Sequence, residues 1–240
     1  MLLQKRVAQV GGKKGWLEYV QDDGRVHGSV ISNGAITGRM THQQPNMAQV
    51  PSTSSPYGKE CRECWIVPPG HKLVGVDASQ LELRMLAHYM KDENYINEIV
   101  NGDIHSTNQK IAGLQSRNQA KTFIYALLYA AGDRKLGTLV GRSPSSGKDL
   151  RKHFFDNLPS FKSLRERVST ASQRGFLKGL DGRKIFVRSE HSALNTLLQS
   201  AGALVMKQAL ITLDEAIKRH SLNARFVANV HDEWQIEVLE

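Results

Sequence analysis

Residues 71–90 read HKLVGVDASQLELRMLAHYM, and the spacing of their apolar residues changes halfway along. The first half predicts a buried strand that ends at Asp77. The second half predicts a helix over residues 81–90, because its apolar residues recur at helical spacing. The apolar residues are Leu73, Val74 and Val76 in the strand, and Leu83, Leu86, Ala87 and Met90 in the helix. A strand followed at once by a helix, with a carboxylate at the junction, indicates a mixed fold with a candidate site at that point.

The next residues predict a helical block and then one long helix. Residues 91–191 are mostly polar and basic, and their strongest helix lies within SRNQAKTFIYALLYAAG (116–132), which Gly132 is predicted to end. Residues 191–220 predict a single, mainly buried helix. The apolar side of that helix consists of Leu194, Leu197, Leu198, Ala201, Leu204 and Val205.

The two ends of the chain have different patterns. Residues 1–60 are rich in Gly, Asn, Gln and Ser and predict short strands and loops. Residues 225–230 and 234–239 predict two strands of a hairpin. The residues between these strands are His231, Asp232 and Glu233. The predicted order is a strand and a helix, then a helical block, then a long helix and a hairpin. This order predicts an α+β fold with a helical insertion.

Composition indicates a soluble protein with a polyanionic partner. The net charge is +9, and Lys and Arg side chains that meet phosphates release counterions. The sequence has no apolar run near the ~20 residues that span a bilayer and no signal-peptide pattern, so a cytoplasmic protein without a membrane partner is predicted. Cys61 and Cys64 form a single CxxC pair, too few ligands for a structural zinc site, and are predicted to be reduced and incidental.

Two aspartates lie at the ends of predicted strands, Asp77 after the first strand and Asp232 in the hairpin turn. A carboxylate at the end of a buried strand needs compensation, and Mg²⁺ is commonly held by one or two carboxylates together with substrate phosphates. The spacing alone favours a simpler interpretation, in which Asp77 caps the next helix and Asp232 is a solvated turn residue.

One face of the predicted helix at 116–132 carries Arg117, Lys121 and Tyr125 at intervals of four residues. A guanidinium and an ammonium one turn apart can hold two phosphates of a polyphosphate, and the tyrosine ring can pack against a sugar or base. The same pattern also suits a solvated basic stripe that ends in a core aromatic.

Taken together, these segments resemble family A DNA polymerases, and in particular the phage replicative branch of that family. DASQLELR (77–84) resembles motif A, RNQAKTFIYALLYAAG (117–132) resembles motif B and VHDE (230–233) resembles motif C, in the family's order. Further agreement lies in residues 37–51, 102–109, 180–188 and 194–203.

The resemblance implies template-directed DNA synthesis that uses two Mg²⁺ ions, primer–template DNA and dNTPs. Asp77 and Asp232 match the metal-binding carboxylates, Ala78 offers a backbone carbonyl, and Glu233 matches an acidic neighbour. Lys121 matches a triphosphate contact that also protonates pyrophosphate. The other implied nucleotide contacts are Glu82, which excludes a 2′-hydroxyl, His105, Arg117 and Tyr125. The implied DNA contacts are Arg39, Tyr129, Asn195, Gln199 and His231.

The implied architecture is a right hand, with a palm sheet and inserted helical fingers. Residues 1–90 would form the N-terminal part of the palm, 91–192 the fingers and 193–240 a truncated C-terminal part of the palm. Thumb and exonuclease are expected to be largely absent, so a second polypeptide that supplies them is a predicted partner, and a viral protein would act in the host cytoplasm. The alternatives are a nucleic-acid-binding fragment without catalysis, a single-subunit RNA polymerase, which Glu82 disfavours, and a nuclease, which leaves the Arg117–Lys121–Tyr125 face unexplained.

Overall fold

The computed structural model describes residues 1–240. Helices account for 53% of the chain and strands for 15%, which confirms the predicted α+β class. The chain forms two compact units, one of residues Met1–Ser79 and Ala203–Glu240, the other of Gln80–Gly202. None of the helices is both long and apolar enough to cross a bilayer.

The bounds of the elements follow the chain. The helices are α1 (Leu2–Gly11), α2 (Gly58–Glu63), α3 (Leu81–Met90), α4 (Glu93–Asn101), α5 (Ile104–Ala112), α6 (Arg117–Leu128), α7 (Asp133–Leu139), α8 (Gly147–Asp156), α9 (Pro159–Ser172) and α10 (Ala193–Arg219). The strands are β1 (Ser29–Ile31), β2 (Thr41–Gln43), β3 (His71–Asp77), β4 (Phe176–Lys178), β5 (Lys184–Phe186), β6 (Ala224–Val230) and β7 (Glu233–Leu239).

The first unit is organised around an antiparallel sheet in the order β3-β7-β6. The predicted hairpin is confirmed, because β6 and β7 pair through a two-residue turn at His231 and Asp232. His231 has a φ of 58°, the left-handed conformation that tight hairpin turns require. β3 pairs with β7 along its whole length, which places Asp77 directly opposite Glu233.

Residues 71–77 do form a strand, but the prediction that this strand is buried is wrong. Leu73, Val74 and Val76 are 44%, 41% and 37% exposed. The reason lies in the strand order: β3 is an edge strand and pairs with β7 alone, whereas Trp234 and Ile236 of the central strand are 6% and 5% exposed.

Residues 1–60 contain more helix than predicted. The short strands β1 and β2 are present, but α1 covers residues 2–11 and α2 begins at Gly58. α1 carries apolar residues at helical spacing, Leu3, Val7 and Val10, but it buries none of its residues, so its apolar side is left uncovered. Cys61 and Cys64 are free thiols, as predicted, the first buried and the second exposed.

The second unit is mainly helical and has one apolar core. Phe123, Phe154 and Phe161 are fully buried at its centre, with ring centroids 5.2 Å apart for the first pair and 6.1 Å for the second. Both pairs meet edge to face, a favourable arrangement for aromatic rings. The predicted helix at 81–90 is confirmed as α3, and its four predicted apolar residues are buried in this core.

The prediction that Gly132 ends the motif B helix is wrong. α6 ends at Leu128, and Ala130 adopts the left-handed conformation with a φ of 58°. The amide of Ala131 donates to the carbonyl of Ala126, and the amide of Ala130 donates to that of Leu127. These two bonds form a Schellman motif, which closes the helix without glycine.

The predicted long helix is confirmed as α10, but only its first half is mainly buried. Leu194, Leu197, Leu198 and Ala201 are buried in the second unit. Farther along, Val205 and Ile211 are 38% and 52% exposed, so the prediction that Val205 belongs to a buried side is wrong. Near the middle, Gly202 allows close approach to Leu81, whose side-chain carbon would lie 3.1 Å from an added Cβ.

Candidate active site

Three carboxylates lie at one end of the sheet in the first unit, and we call them the carboxylate cluster: Asp77, Asp232 and Glu233. Asp77 is the last residue of β3 and Glu233 the first residue of β7. The amide of Ala78 donates to the carbonyl oxygen of Asp232 at 2.9 Å, which ties the hairpin turn to the end of β3. Sheet pairing therefore brings together residues that lie more than half the chain apart in sequence.

The electrostatics of the carboxylate cluster suit a bound cation. Partial burial raises the pKa of Asp77 above its usual range, and the charges of Asp232 and Glu233 raise it further. None of the three forms an ion pair with a lysine, arginine or histidine. No positively charged side chain therefore balances the repulsion among them.

Mg²⁺ fits this arrangement better than an ion that requires a full protein cage. No group of three or more His, Cys, Asp or Glu side chains is arranged to enclose an ion. Mg²⁺ keeps several waters and is usually held by one or two carboxylates together with substrate oxygens. Asp77, Asp232 and the backbone carbonyl of Ala78 offer such an incomplete oxygen set.

A glutamine that the sequence analysis missed lies beside the cluster. The side-chain amide of Gln235 donates to Oε1 of Glu233. Gln235 is paired with Gly75 of β3, two residues before Asp77. The identity of Gln235 carries no signal in the sequence, because its role depends on which strand lies opposite.

The second unit presents the predicted basic face of α6. Arg117 and Lys121 are exposed and Tyr125 is partly buried. The opposite side of α6, which includes Ala120, Phe123 and Ile124, is fully buried. Ser116 and Gln119 form a capping box at the start of the helix, which fixes the position from which Arg117 projects.

Arg117 is held by a carboxylate that the sequence analysis also missed. Its Nε and Nη2 donate to the two carboxylate oxygens of Asp103 at 2.6 and 3.1 Å. Asp103 also accepts from the amide of His105 and from the hydroxyl of Ser106, so it caps α5 at the same time. The Arg117 guanidinium holds the pKa of Asp103 far below its usual range, with smaller contributions from Ser106 and His105. An aspartate just before a helix can be recognised in the sequence as a helix cap, but its pairing with Arg117 can be recognised only in the folded chain.

His105 lies beneath the same face. It is 3% exposed, its Nδ1 is buried without a hydrogen-bond partner, and its ring centroid lies 6.2 Å from that of Tyr125. Burial lowers the pKa of His105, and the charges of Arg117 and Lys121 lower it further. The imidazole is therefore neutral at neutral pH, and a phosphate would meet a hydrogen-bonding group there rather than a third cation.

Glu82 and Tyr129, predicted from separate motifs, are in direct contact. The hydroxyl of Tyr129 donates to Oε1 of Glu82 at 2.8 Å. Glu82 is 9% exposed and Tyr129 is 52% exposed. A buried carboxylate with a charge-assisted hydrogen bond is held in one position.

The remaining predicted DNA contacts divide between the units. Asn195 and Gln199 lie one turn apart on α10 in the second unit, both partly buried. Arg39 and His231 belong to the first unit. There, burial lowers the pKa of His42, and nearby His231 lowers it further, so these two imidazoles are neighbours.

Comparison with known proteins relates this arrangement to DNA polymerases. The profile of DNA polymerase family A matches residues 8–240. The chain is 45% identical over 269 aligned residues to the DNA-directed DNA polymerase of Enterobacteria phage T3, covering 98% of this chain and 38% of the relative. The DNA-directed DNA polymerase of Escherichia phage T7 matches with the same identity and coverage. The chain thus spans well under half the length of these relatives.

A bacterial relative and a solved structure agree with this assignment. DNA polymerase I of Pseudomonas aeruginosa is 28% identical over 239 residues, covering 90% of this chain and 26% of the relative. The POL domain of Pol1 from M. smegmatis, solved in complex with DNA primer-template and dNTP, superposes with a TM-score of 0.84 at 27% identity. That match covers 94% of this chain and 44% of the other. The chain belongs to DNA polymerase family A.

Proposed function

We propose that this chain carries the polymerase active site of a template-directed DNA polymerase, which adds dNTPs to a primer 3′-hydroxyl and releases pyrophosphate. The carboxylate cluster carries the proposal, because Asp77, Asp232 and Glu233 meet at one sheet end without a cation to balance them. Family membership supports the reaction, and the solved relative with primer-template and dNTP supports the partners.

In this proposal, Asp77, Asp232 and the carbonyl of Ala78 hold two Mg²⁺ ions, with Glu233 beside them. When bound, such ions lower the pKa of the attacking hydroxyl and stabilise charge on the leaving oxygen. The protein residues keep the carboxylates in place, because the Ala78–Asp232 hydrogen bond fixes the turn to β3. We propose that Arg39 and His231 contact the primer terminus in the same unit.

The α6 face binds the triphosphate. Arg117 offers a guanidinium already oriented by Asp103, and Lys121 lies one turn farther along the same exposed side. Lys121 carries a proton that it can deliver to the departing pyrophosphate, as a general acid. His105, neutral and buried below, adds a hydrogen bond without further charge.

Glu82, Tyr125 and Tyr129 surround the nucleoside. Glu82 is held by the Tyr129 hydroxyl, so it cannot easily move aside for a 2′-hydroxyl. We propose that this fixed carboxylate excludes ribonucleotides and that Tyr125 lies beside the sugar. Tyr129, Asn195 and Gln199 contact the template and the minor groove.

The proposed division into domains keeps residues 1–90 and 193–240 in the palm and 91–192 in the fingers. Primer–template DNA and dNTPs are the proposed partners, and the similarity to phage polymerases supports a host cytoplasmic site of action.

Primer extension on a primed DNA template, with Mg²⁺ and dNTPs, tests the proposal. Template-matched incorporation should be lost in Asp232→Asn and retained in Asp214→Asn, a control at an exposed α10 residue paired with Lys218. If the unaltered chain binds DNA in a salt-sensitive way but adds no nucleotide, a binding fragment without catalysis becomes the better interpretation. Extension with ribonucleotides at a comparable rate would favour an RNA polymerase.

A further inference from the structure

We propose that Gln235 is a positioning residue that holds the Glu233 carboxylate at the ion site, and that residue 75 is glycine to leave room for it. This inference rests on the proposed function, since it concerns the same carboxylate cluster. It assigns roles to two residues, Gln235 and Gly75, to which neither the motifs nor the family assignment gives a role.

The sheet register places these residues on one face. In the β3–β7 ladder, Glu233 lies opposite Asp77. Two residues farther along β7, Gln235 lies opposite Gly75. Side chains two residues apart on a strand project from the same face. Gln235 and Glu233 are therefore neighbours above β3, and the Gln235 amide donates to Oε1 of Glu233.

Gly75 provides the space that this contact needs. A Cβ built on Gly75 would lie 3.0 Å from Nε2 of Gln235 and 3.4 Å from its Oε1. Gly75 does not have a left-handed φ, so its backbone conformation makes no demand for glycine. A glycine inside a strand often marks the close approach of another group. Here that group is the carboxamide of Gln235, which lies across the strand.

The hydrogen bond opposes a tendency of Glu233 to move away. Three carboxylates meet at the sheet end, and mutual repulsion would turn the flexible glutamate side chain out to solvent. A charge-assisted hydrogen bond from an amide counters this repulsion. Trp234, the intervening residue, is 6% exposed and anchors the backbone from the opposite face.

The neutral amide is better suited to this position than a cation. Lysine or arginine at 235 would also hold Glu233, but its charge would partly neutralise the cluster and compete with a divalent ion. Glutamine orients the carboxylate and leaves the negative charge for the ion. We therefore expect Gln235 to affect ion binding and the chemical step, and to leave dNTP and DNA binding unchanged.

The first test is Gln235→Met, which keeps an unbranched side chain of similar size and removes the donor. The matched control is Gln208→Met, at an exposed position of α10 in the same unit. We expect kcat for primer extension to fall roughly tenfold, the effect of losing one hydrogen bond to a charged group. The Mg²⁺ concentration for half-maximal rate should rise severalfold, with KM for dNTP within about twofold.

Gly75→Ala provides an independent variant, because the added methyl group forces the Gln235 carboxamide to shift by a few tenths of an ångström without removing it. It should show the same kcat and Mg²⁺ defects, and the double variant should be no worse than either single variant, since both remove one contact. Fully additive defects, or a Gly75→Ala chain with unaltered kcat and Mg²⁺ dependence, would overturn the inference. If Gly75→Ala fails to fold, Gln235→Ala takes its place in the comparison with Gln235→Met.

Ion binding is measured separately from catalysis, with Tb³⁺ luminescence sensitised by Trp234 and Asp77→Asn as the background. Gln235→Met should weaken Tb³⁺ binding severalfold, whereas Gln208→Met should not. Unchanged Tb³⁺ affinity in Gln235→Met would overturn the inference even if the polymerase proposal holds. If neither the unaltered chain nor any variant extends a primer, the proposed function fails. The Tb³⁺ comparison between Gln235→Met and Gln208→Met then still decides the role of Gln235.

Discussion

At Asp77, the ionised form that a metal ion needs is the form that its surroundings disfavour. Partial burial raises the pKa of this carboxyl, and so do the charges of Asp232 and Glu233. An acid whose pKa is higher in the folded than in the unfolded chain stabilises the fold when protonated, and this contribution is lost as the pH rises through the folded-state pKa. At neutral pH, Asp77 therefore lowers the stability of the metal-free protein.

Asp77→Asn should remove this repulsion. In EDTA at pH 7, we expect the variant to melt higher than the unaltered chain by roughly 1–3 °C, a small effect because the site is well solvated. Addition of Mg²⁺ should reduce or reverse this difference in melting temperature, because a bound ion stabilises the unaltered chain and the variant has lost an ion ligand. Differential scanning fluorimetry with and without Mg²⁺ measures both effects. The control is Asp22→Asn, an exposed aspartate of the same unit, and a lower melting temperature for Asp77→Asn in EDTA would contradict the argument.

Asp103 has the opposite behaviour, because Arg117 depresses its pKa. Such a carboxylate adds stability above its unfolded pKa of about 3.9, and this is lost as the pH falls toward the folded value. The melting temperature of Asp103→Asn should lie below that of the unaltered chain from pH 7 to pH 5, and the gap should begin to narrow below about pH 4 and close only as the pH approaches the folded-state pKa. Thermal melts across this range test it, with Asp156→Asn as an exposed control on α8. A gap that stays constant down to pH 3 would show that the ion pair is not its source.

Residue identities in the site were predictable only where a motif fixes them. Asp77, Arg117 and Asp232 could be singled out in the sequence, since strand ends and helical spacing give them a context. Asp103 and Gln235 could not, because each acts through a partner that only the folded chain brings near. Supporting residues of this kind have no local pattern of their own.

At the scale of elements, α6 has defined hydrogen-bonded motifs at both ends. A capping box begins it at Ser116, and a Schellman motif around Ala130 ends it. Both ends satisfy backbone groups that a helix leaves without partners. Arg117 and Lys121 therefore project from a helix whose start and end are fixed.

Ser116→Ala should weaken the start of α6. The loss of an N-cap hydroxyl costs about 1 kcal/mol of unfolding free energy, and urea denaturation followed by circular dichroism measures it. Ser145→Ala, whose exposed hydroxyl contacts only Ser143, is the control and should be nearly neutral. KM for dNTP should rise in Ser116→Ala if the cap also sets the direction of Arg117. Equal unfolding free energies for the two variants would mean that the capping box contributes nothing measurable.

Element types were more predictable than element burial. β3, α3, α10 and the β6–β7 hairpin follow from periodicity, because local spacing determines helix or strand. The exposure of Leu73 and Val205 does not follow, because it depends on which neighbours cover an element. α1 was missed although Leu3, Val7 and Val10 have helical spacing, and its lack of buried residues likewise depends on which neighbours cover it.

At the scale of the whole molecule, the net charge of +9 leads to a prediction about salt. If the chain neutralises about five DNA phosphates, the logarithm of its duplex affinity should fall with the logarithm of salt concentration with a slope near −4.5. Fluorescence anisotropy from about 50 to 300 mM salt measures the slope. Arg117→Ala should leave it unchanged, because Arg117 is proposed to contact the triphosphate rather than DNA. A slope near zero would exclude phosphate contacts as the source of binding.

The family was predictable from sequence because three motifs lie in a fixed order, at residues 77–84, 117–132 and 230–233. Boundaries are a different matter. The units divide between residues 79 and 80 and between 202 and 203, whereas the proposed palm and fingers divide at 90 and 192. The boundaries of a compact unit depend on packing between segments that are distant in the sequence, and the motifs carry no information about this packing.

The open edge of β3 has a consequence for handling the protein. One side of this seven-residue strand has no backbone partner, and Leu73, Val74 and Val76 are exposed along it. Edges of this kind can template strand addition between copies, and Lys72 is the one charged side chain among residues 72–76 to oppose this. Concentrated stocks at high salt, where the repulsion between copies with a charge of +9 is screened, should therefore be the first to turn turbid.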